Sequence, residues 1–424
     1  MEDLSCQIVS NGGEEEDERA GGSSIPPCLP VLPPNKRKLI LHLDLNNTIL
    51  VSDAATGQGP RAALNSYLST VAWGRISASG EWQLVSDRPS VRSPCDDAIN
   101  YYTYFGRDGN FVNNKIGQSF RGVFDDHMKM LECPGKADER FTQQGEDGRS
   151  YYWILPSFFH MLESLHLEGR QFCVILRTFG VDLPSVLQSV HAALQGKHPQ
   201  FPQLQQVPLT TDLTVGKIRC SKRDIVVTHG SDRISTKPKE RNVYQYFSSM
   251  DGIGGFQDHF DWWARNNFQA AGGKPFWIDP TDCNTQHIII DDNIRLTDQD
   301  TIVNCRVLSD QKKGKESRKA PTSELYDICL VQTDLLRAIA EKDYFLDCIR
   351  LCEENYEQYL QSFQSRKDAR SRHCRYPVYK YSLRWHLHNR TALQRLDAEA
   401  TVIRVSQSSG GSGPHTPSSR QVEL

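Results

Sequence analysis

Two apolar runs in this 424-residue chain end in carboxylates, and a third ends in a hydroxyl. Leu39-Ile40-Leu41-His42-Leu43 leads into Asp44, His287-Ile288-Ile289-Ile290 into Asp291-Asp292, and Phe172-Cys173-Val174-Ile175-Leu176 into Arg177-Thr178. A carboxylate can attack phosphorus only when the negative charges are neutralised, so a metal and a cationic side chain must flank it. Converging acids offer hard oxygen ligands to Mg2+. The Arg177 guanidinium could make a bidentate contact to a phosphate, whereas a lone hydroxyl such as that of Thr178 after a strand is common and gains weight only from its order and context. Plainer readings exist for each: an acidic pair at a strand end can cap a helix, and Arg177 can be spent on a salt bridge.

The elements that carry these residues follow from the same runs. Four of the five residues between Lys38 and Asp44 are Leu or Ile, with basic residues before them and turn formers after. Such runs read as strands buried on both faces, as in a parallel sheet. Their carboxyl ends form the edge at which open α/β sheets bind ligands. Between the strands the pattern is helical. Phe158, Met161, Leu162 and Leu165 recur at helical spacing from Pro156 to a stop at Gly169, and Asp182 with Pro184 opens a second helix that closes near Gly196. The fold class expected is α/β, a doubly wound, mostly parallel sheet.

In this order, Asp44-Leu45-Asn46-Asn47-Thr48, Thr178 and Asp291-Asp292 resemble the motifs of the haloacid dehalogenase superfamily of phosphohydrolases. Its first motif is an apolar strand followed by Asp-x-Asp-x-Thr. The resemblance implies that Asp44 is the nucleophile, that Thr178 holds the transferring phosphoryl group, and that Mg2+ sits between Asp44, the Asn46 backbone carbonyl and the Asp291-Asp292 pair. It also implies a lysine paired with nucleophile and phosphate. Lys274, in Gly272-Gly273-Lys274-Pro275, is preferred over Lys217, Lys222, Lys237 and Lys239. Asn47 stands where many relatives carry Gly, and Asn tolerates the left-handed conformation a tight loop needs.

The departure lies at Asn46. The second carboxylate of that motif is the family's general acid and base, and an amide can neither give nor take a proton at neutral pH. His42 lies two residues back inside the strand, and Asp53, beyond the loop, is the acid that an insertion could deliver. Two functions are therefore expected from the likeness. One is a Mg2+-dependent phosphatase or phosphotransferase with an aspartyl-phosphate intermediate, slow for want of the acid. The other is an impaired phosphate- and metal-binding scaffold or regulatory protein. The ligand would be a phosphorylated small molecule or a phosphoprotein, and a protein partner suits the scaffold reading.

Residues 52–149 interrupt the pattern and stand where that family inserts a cap. Residues 69–76 and 81–86, with Trp73 and Trp82 around Ser77-Ala78-Ser79-Gly80, read as a β-hairpin. Tyr101, Tyr102, Tyr104 and Phe105 suit either a substrate pocket or a small core of the insertion's own. The core is expected over residues 36–51 and 150–364. Within it, residues 302–308 and 325–331 read as strands that could extend the sheet, and Thr333-Asp334 and Asp343 as helix caps. Cys348 and Cys352 share a helical face with His373-Cys374 beyond, a spacing that suits buried thiols better than zinc.

The ends have another texture. Residues 1–35 are acidic and then Pro-rich, and residues 406–424 rich in Ser, Gly and Pro, so both are expected to be disordered. Residues 365–405 mix basic and aromatic side chains, a blend that can grip a phosphorylated ligand or nucleic acid, or wrap an acidic face. A net charge of -3 does not indicate a bulk nucleic-acid binder. No stretch approaches the eighteen or so apolar residues of a membrane span. The compartment expected is cytoplasmic, with a nuclear alternative because Lys36-Arg37-Lys38 could be an import fragment as well as the solvent end of a strand.

Overall fold

The computed structural model describes residues 37–52, 57–309 and 316–371. Its centre is an eight-stranded sheet built from β1 (Lys38–Asp44), β2 (Phe172–Thr178), β3 (Thr211–Cys220), β4 (Ile225–His229), β5 (Asp232–Ser235), β6 (Gly252–Gln257), β7 (Thr285–Asp291) and β8 (Leu330–Gln332). The spatial order is β5-β4-β3-β6-β2-β1-β7-β8. All neighbours from β3 to β8 run parallel, and β4 and β5 close one edge antiparallel. Chain order and strand order part company at β1, which has β2 on one side and β7 on the other. Such a switch opens a crevice at the carboxyl edge.

Both faces of the sheet are covered, which explains the unbroken apolar runs. Successive side chains of a strand point to opposite faces. Leu39, Leu41 and Leu43 enter one core with helices Pro156–Leu167 and Leu183–Ala192, whereas Ile40 enters another with Cys173, Ile175 and helix Arg241–Ser249. The molecule is a mixed α/β fold on a large, mostly parallel sheet.

Residues after β1 leave the sheet and come back beside their exit: Leu50 and Ile154 form a β-bridge, and Leu155 N donates to the Ile49 carbonyl at 2.9 Å. Between these points lie helices Pro60–Val71 and Arg121–Leu131, a three-stranded sheet and a short hairpin. The aromatic residues of this stretch do not make a separate core. Tyr67, Tyr101, Phe111, Phe120 and Phe124 belong to the same buried cluster as Leu39 and Leu41, and Tyr67 Oη accepts from Leu335 N at 2.9 Å.

Other expectations need correction. Helix Pro60–Val71 takes residues 69–71, so the hairpin is only Trp73–Ile76 with Trp82–Leu84. Residues 325–331 are not one strand. Helix Thr322–Leu325 turns at Asp327, whose φ is 58°, into the short β8. Strand Val303–Leu308 pairs with Lys274–Ile278 in a separate three-stranded sheet. Arg37 is no solvent marker: its side chain is wholly buried and ion-paired with Glu357 on helix Tyr344–Ser371. Strands β3 to β6 were not expected at all. The Asp334 cap holds, its side chain accepting from Arg337 N, and Cys348 and Cys352 are buried free thiols. His373-Cys374, Asp53 and residues 372–405 of the extension lie outside the described residues.

Candidate active site

Parallel register brings the chemistry together. Leu43 pairs with Ile290, and Asp44 with Arg177. Asp44, Thr178 and Asp291 thus leave three adjacent strands at one edge. The turn after β1 is held by three amides, from Thr48, Ile49 and Leu50, on the Leu45 carbonyl. Asn47 takes the expected left-handed conformation with φ 56°. Thr48, buried, shares a 3.0 Å hydroxyl contact with Thr333 and fixes this turn to the segment after β8.

Lys274 is the hub. Strand Lys274–Ile278 points its buried ammonium at 2.5 Å from Asp44 Oδ1, 2.8 Å from Asp291 Oδ2 and 3.1 Å from the Arg177 carbonyl. Those contacts use all three of its protons. The other four candidate lysines are exposed. Burial opposes the charge on Lys274, but Asp291, Asp44 and Asp258 outweigh it and hold the ammonium pKa above its ordinary value.

Asp44, Asp291 and Asp292 each offer an oxygen within 4.8 Å of the others. Burial drives the Asp44 carboxyl well above the usual range; Lys274 pulls it down, while Asp291 and Asp292 push it further up. Asp292 is raised to about 7, by burial first and then by Asp291. No helix begins here. Asn293 N donates to Asp291 Oδ1 at 2.9 Å inside a turn, so the acidic pair is not a helix cap. Three carboxylates against the Lys274 ammonium, with Arg295 acting on Asp292, leave excess negative charge, and Asn47, whose Nδ2 donates to Asp292 Oδ2 at 3.4 Å, has its Oδ1 buried without a hydrogen-bond partner. An oxygen donor set with that deficit fits a hard divalent cation, with or without its water, and is not specific to Mg2+.

Thr178 and Asn46 lie on the other side of Asp44. Thr178 Oγ1 accepts from Gly180 N at 2.9 Å, and Asn46 Nδ2 donates to the Ser52 carbonyl at 2.8 Å. Arg177 is elsewhere. Its guanidinium makes a buried, bidentate pair with Asp258, at 2.8 and 2.6 Å, and reaches the Pro275 carbonyl. The expected phosphate contact is thereby corrected to the salt bridge. His42 is buried against His287, 3.2 Å apart, and burial lowers its pKa well below the ordinary value, with His287 and Arg177 adding to the effect. It is a neutral core histidine.

Asp182 is the carboxylate that sequence reasoning passed over as a helix opener. It stands at the cap position of helix Leu183–Ala192 without capping it, and its Oδ2 lies 3.4 Å from Asn46 Nδ2. A Cβ placed on Gly180 would meet Thr178 Oγ1 at 3.3 Å, Asp182 Oδ2 at 3.5 Å and Asn46 Oδ1 at 3.6 Å. Three polar side chains thus converge on a bare glycine. The signal was present as Thr178-Phe179-Gly180-Val181-Asp182, where Gly permits close approach. No protein-family model, curated protein or solved structure matches this chain.

Proposed function

We propose that the chain is a metal-dependent phosphatase or phosphotransferase of haloacid dehalogenase type, working through an aspartyl phosphate on Asp44, with residues 52–149 in the place of that family's cap. The observation that carries this reading is Lys274, a buried ammonium shared by Asp44 and Asp291 at 2.5 and 2.8 Å. A structural ion pair needs one carboxylate. Two buried acids and a third beside them are a costly arrangement that a phosphate site uses.

In this reading Asp44 Oδ forms the bond to phosphorus as the ester oxygen leaves with the bonding electrons. Lys274 offsets charge on nucleophile and phosphate, and the Thr178 hydroxyl donates to a phosphoryl oxygen. Mg2+ held by Asp44, Asp291, Asp292 and the Asn46 carbonyl would neutralise phosphoryl charge. Water then attacks the phosphorus of the intermediate, Asp182 takes its proton, and the bond to Asp44 breaks. The competing reading, a phosphate- and metal-binding scaffold, has one observation in its favour: the Asn46 amide is spent on the Ser52 carbonyl.

The test is hydrolysis of an aryl phosphate with Mg2+ by wild type and Asp44→Asn. Turnover lost in Asp44→Asn supports the enzyme; no turnover by wild type, with metal bound, leaves the scaffold. Metal binding is read separately, as a melting temperature raised by Mg2+ over chelator and unmoved in Asp291→Ala with Asp292→Ala. Equal shifts in wild type and double variant would remove the site.

A further inference from the structure

Beside the phosphate site lies a group of aromatic side chains that runs from half-buried Phe179 and Trp263, packed on a core cluster with Phe276 and Ile289, out to exposed Phe260 and Phe268. Phe179 follows Thr178 directly, and its ring centroid is 5.3 Å from the Lys274 ammonium. It also stacks on Trp263 at 5.3 Å and 20°, and meets Phe260 edge-on at 5.7 Å. Phe268 continues the group, 5.1 Å from Trp263. Phe260 is 48% exposed and Phe268 47%, and helix Phe260–Arg265 buries none of its residues. Asn267 and Phe268 are both left-handed, with φ of 54° and 57°. That conformation is unfavourable for a residue with a side chain, more so for a bulky one. Two in succession present a ring at the surface that an ordinary turn would not, and strain of this kind gathers at ligand sites.

We infer, resting on the phosphoryl-transfer reading, that Phe179, Trp263, Phe260 and Phe268 form a platform for the leaving group, and that the substrate is an aryl phosphate, a phosphate ester whose oxygen is bonded directly to an aromatic ring. Two independent observations agree on this class. The first is distance: the platform begins at the cation that holds the phosphate, so a ring one bond from the ester oxygen reaches it, with no sugar between. The second is Asn46. When the bond from phosphorus to the aryl oxygen breaks, the electron pair stays on an oxygen whose conjugate acid has a pKa of about 10, as in tyrosine. An aryloxide of that kind departs with little help and takes its proton from water afterwards. An alkoxide, far more basic, would need an acid at the leaving oxygen, where Asn46 cannot serve and where the proposed reaction gives Asp182 only the part of base in the second half-reaction. A missing acid and a neighbouring aromatic surface describe the same substrate.

Stacking one ring on such a platform, with the area it buries, favours phenylphosphonate over methylphosphonate by about tenfold. The test measures binding of both non-hydrolysable phosphonates to the full chain with Mg2+, by tryptophan fluorescence and by calorimetry. Phenylphosphonate is expected to bind about tenfold tighter, with the gap closing in Phe260→Ala and Phe268→Ala, both at exposed positions. Equal affinities, or a gap untouched by both variants, would overturn the platform while leaving the phosphate site intact. Failure of both phosphonates to bind would instead overturn the phosphate site and the platform with it. Adenosine monophosphate distinguishes the source of the ring: tighter binding than phenylphosphonate would replace the aryl ester by a nucleotide, and weaker binding supports the aryl ester.

Discussion

At the scale of single residues, the consequence of Asn46 in the proposed reaction is a division of labour between two half-reactions. Departure of a good leaving group needs no acid, but water must lose a proton to attack the aspartyl phosphate. Asp182, whose Oδ2 lies 3.4 Å from Asn46 Nδ2, is the carboxylate to which the proposed reaction gives that step. Asp182→Asn is therefore expected to slow steady-state turnover of an aryl phosphate by about a hundredfold or more while leaving the first-turnover burst at its wild-type rate. Rapid-quench kinetics separate the two, and a burst slowed as much as the steady state would place Asp182 in binding or folding instead. Asn46→Asp, which restores the acid, is expected to raise turnover of alkyl phosphates by about tenfold or more. Unchanged alkyl turnover in that variant would mean that protonation is not what limits the wild type.

Of this site, the residues legible in the sequence were those at the ends of long apolar strands. Asp44, Thr178 and Asp291 announced themselves because a strand buried on both faces has no packing reason to end in a polar cluster. Lys274 was legible only in part, as a lysine in a Gly-rich turn, since nothing in its neighbours marks it as buried. Asp182 and Asp258 were hidden for opposite reasons. Asp182 fits a helix-cap pattern it does not use, and Asp258 finds Arg177 across 81 residues of chain.

Among elements, the strands missed were those whose composition misleads. β6 reads Gly252-Ile253-Gly254-Gly255-Phe256-Gln257, a glycine-rich run that looks like a loop. A Cβ on Gly255 would approach Leu183 within 2.5 Å, so helix Leu183–Ala192 packs where a side chain would stand. β3 is mostly exposed and polar over its first half. The inserted stretch was legible as an interruption but not in its packing, because sequence does not say which core an aromatic joins. Its helices share the main cluster, so they are expected to unfold with the sheet. Phe124→Ala should cost about 3 to 5 kcal/mol and lower the melting temperature in a single transition. A separate early transition in differential scanning calorimetry would mark the insertion as its own unit. Hydrogen exchange adds a second reading: helices Pro60–Val71 and Arg121–Leu131 should stay protected with or without a phosphate mimic, leaving ligand-dependent protection to the loops between them.

For the whole molecule, buried histidines add to the loss of stability in acid that carboxylates held below their ordinary range, such as Glu240 and Asp224, already bring. His198 lies among Phe141, Phe159 and Phe201, and burial lowers its pKa to about 4, with Asp138 pulling slightly upward. His287 is lowered to about 3, by burial and then by Lys38. In the unfolded chain both take a proton near pH 6.5, so between there and their folded values the unfolded state holds more protons and stability falls as pH falls. Above pH 6.5 neither contributes a slope. Asp292 acts in the opposite sense. Raised to about 7, it binds a proton in the folded state first, and adds stability as pH falls from about 7 to about 4 unless a metal keeps it ionised. Saturating Mg2+ should remove that opposing contribution and steepen the acid loss. With Mg2+ present, His198→Phe, which keeps the ring among its aromatic neighbours, is expected to flatten the fall in stability between pH 6.5 and 4 by about 2 kcal/mol, allowing for partial solvent screening. Urea unfolding of wild type and variant at pH 7, 5.5 and 4.5 reads the slope directly. Parallel curves for the two proteins would mean that His198 titrates alike in both states, and the acid sensitivity would then rest on the other buried histidines and on the depressed carboxylates.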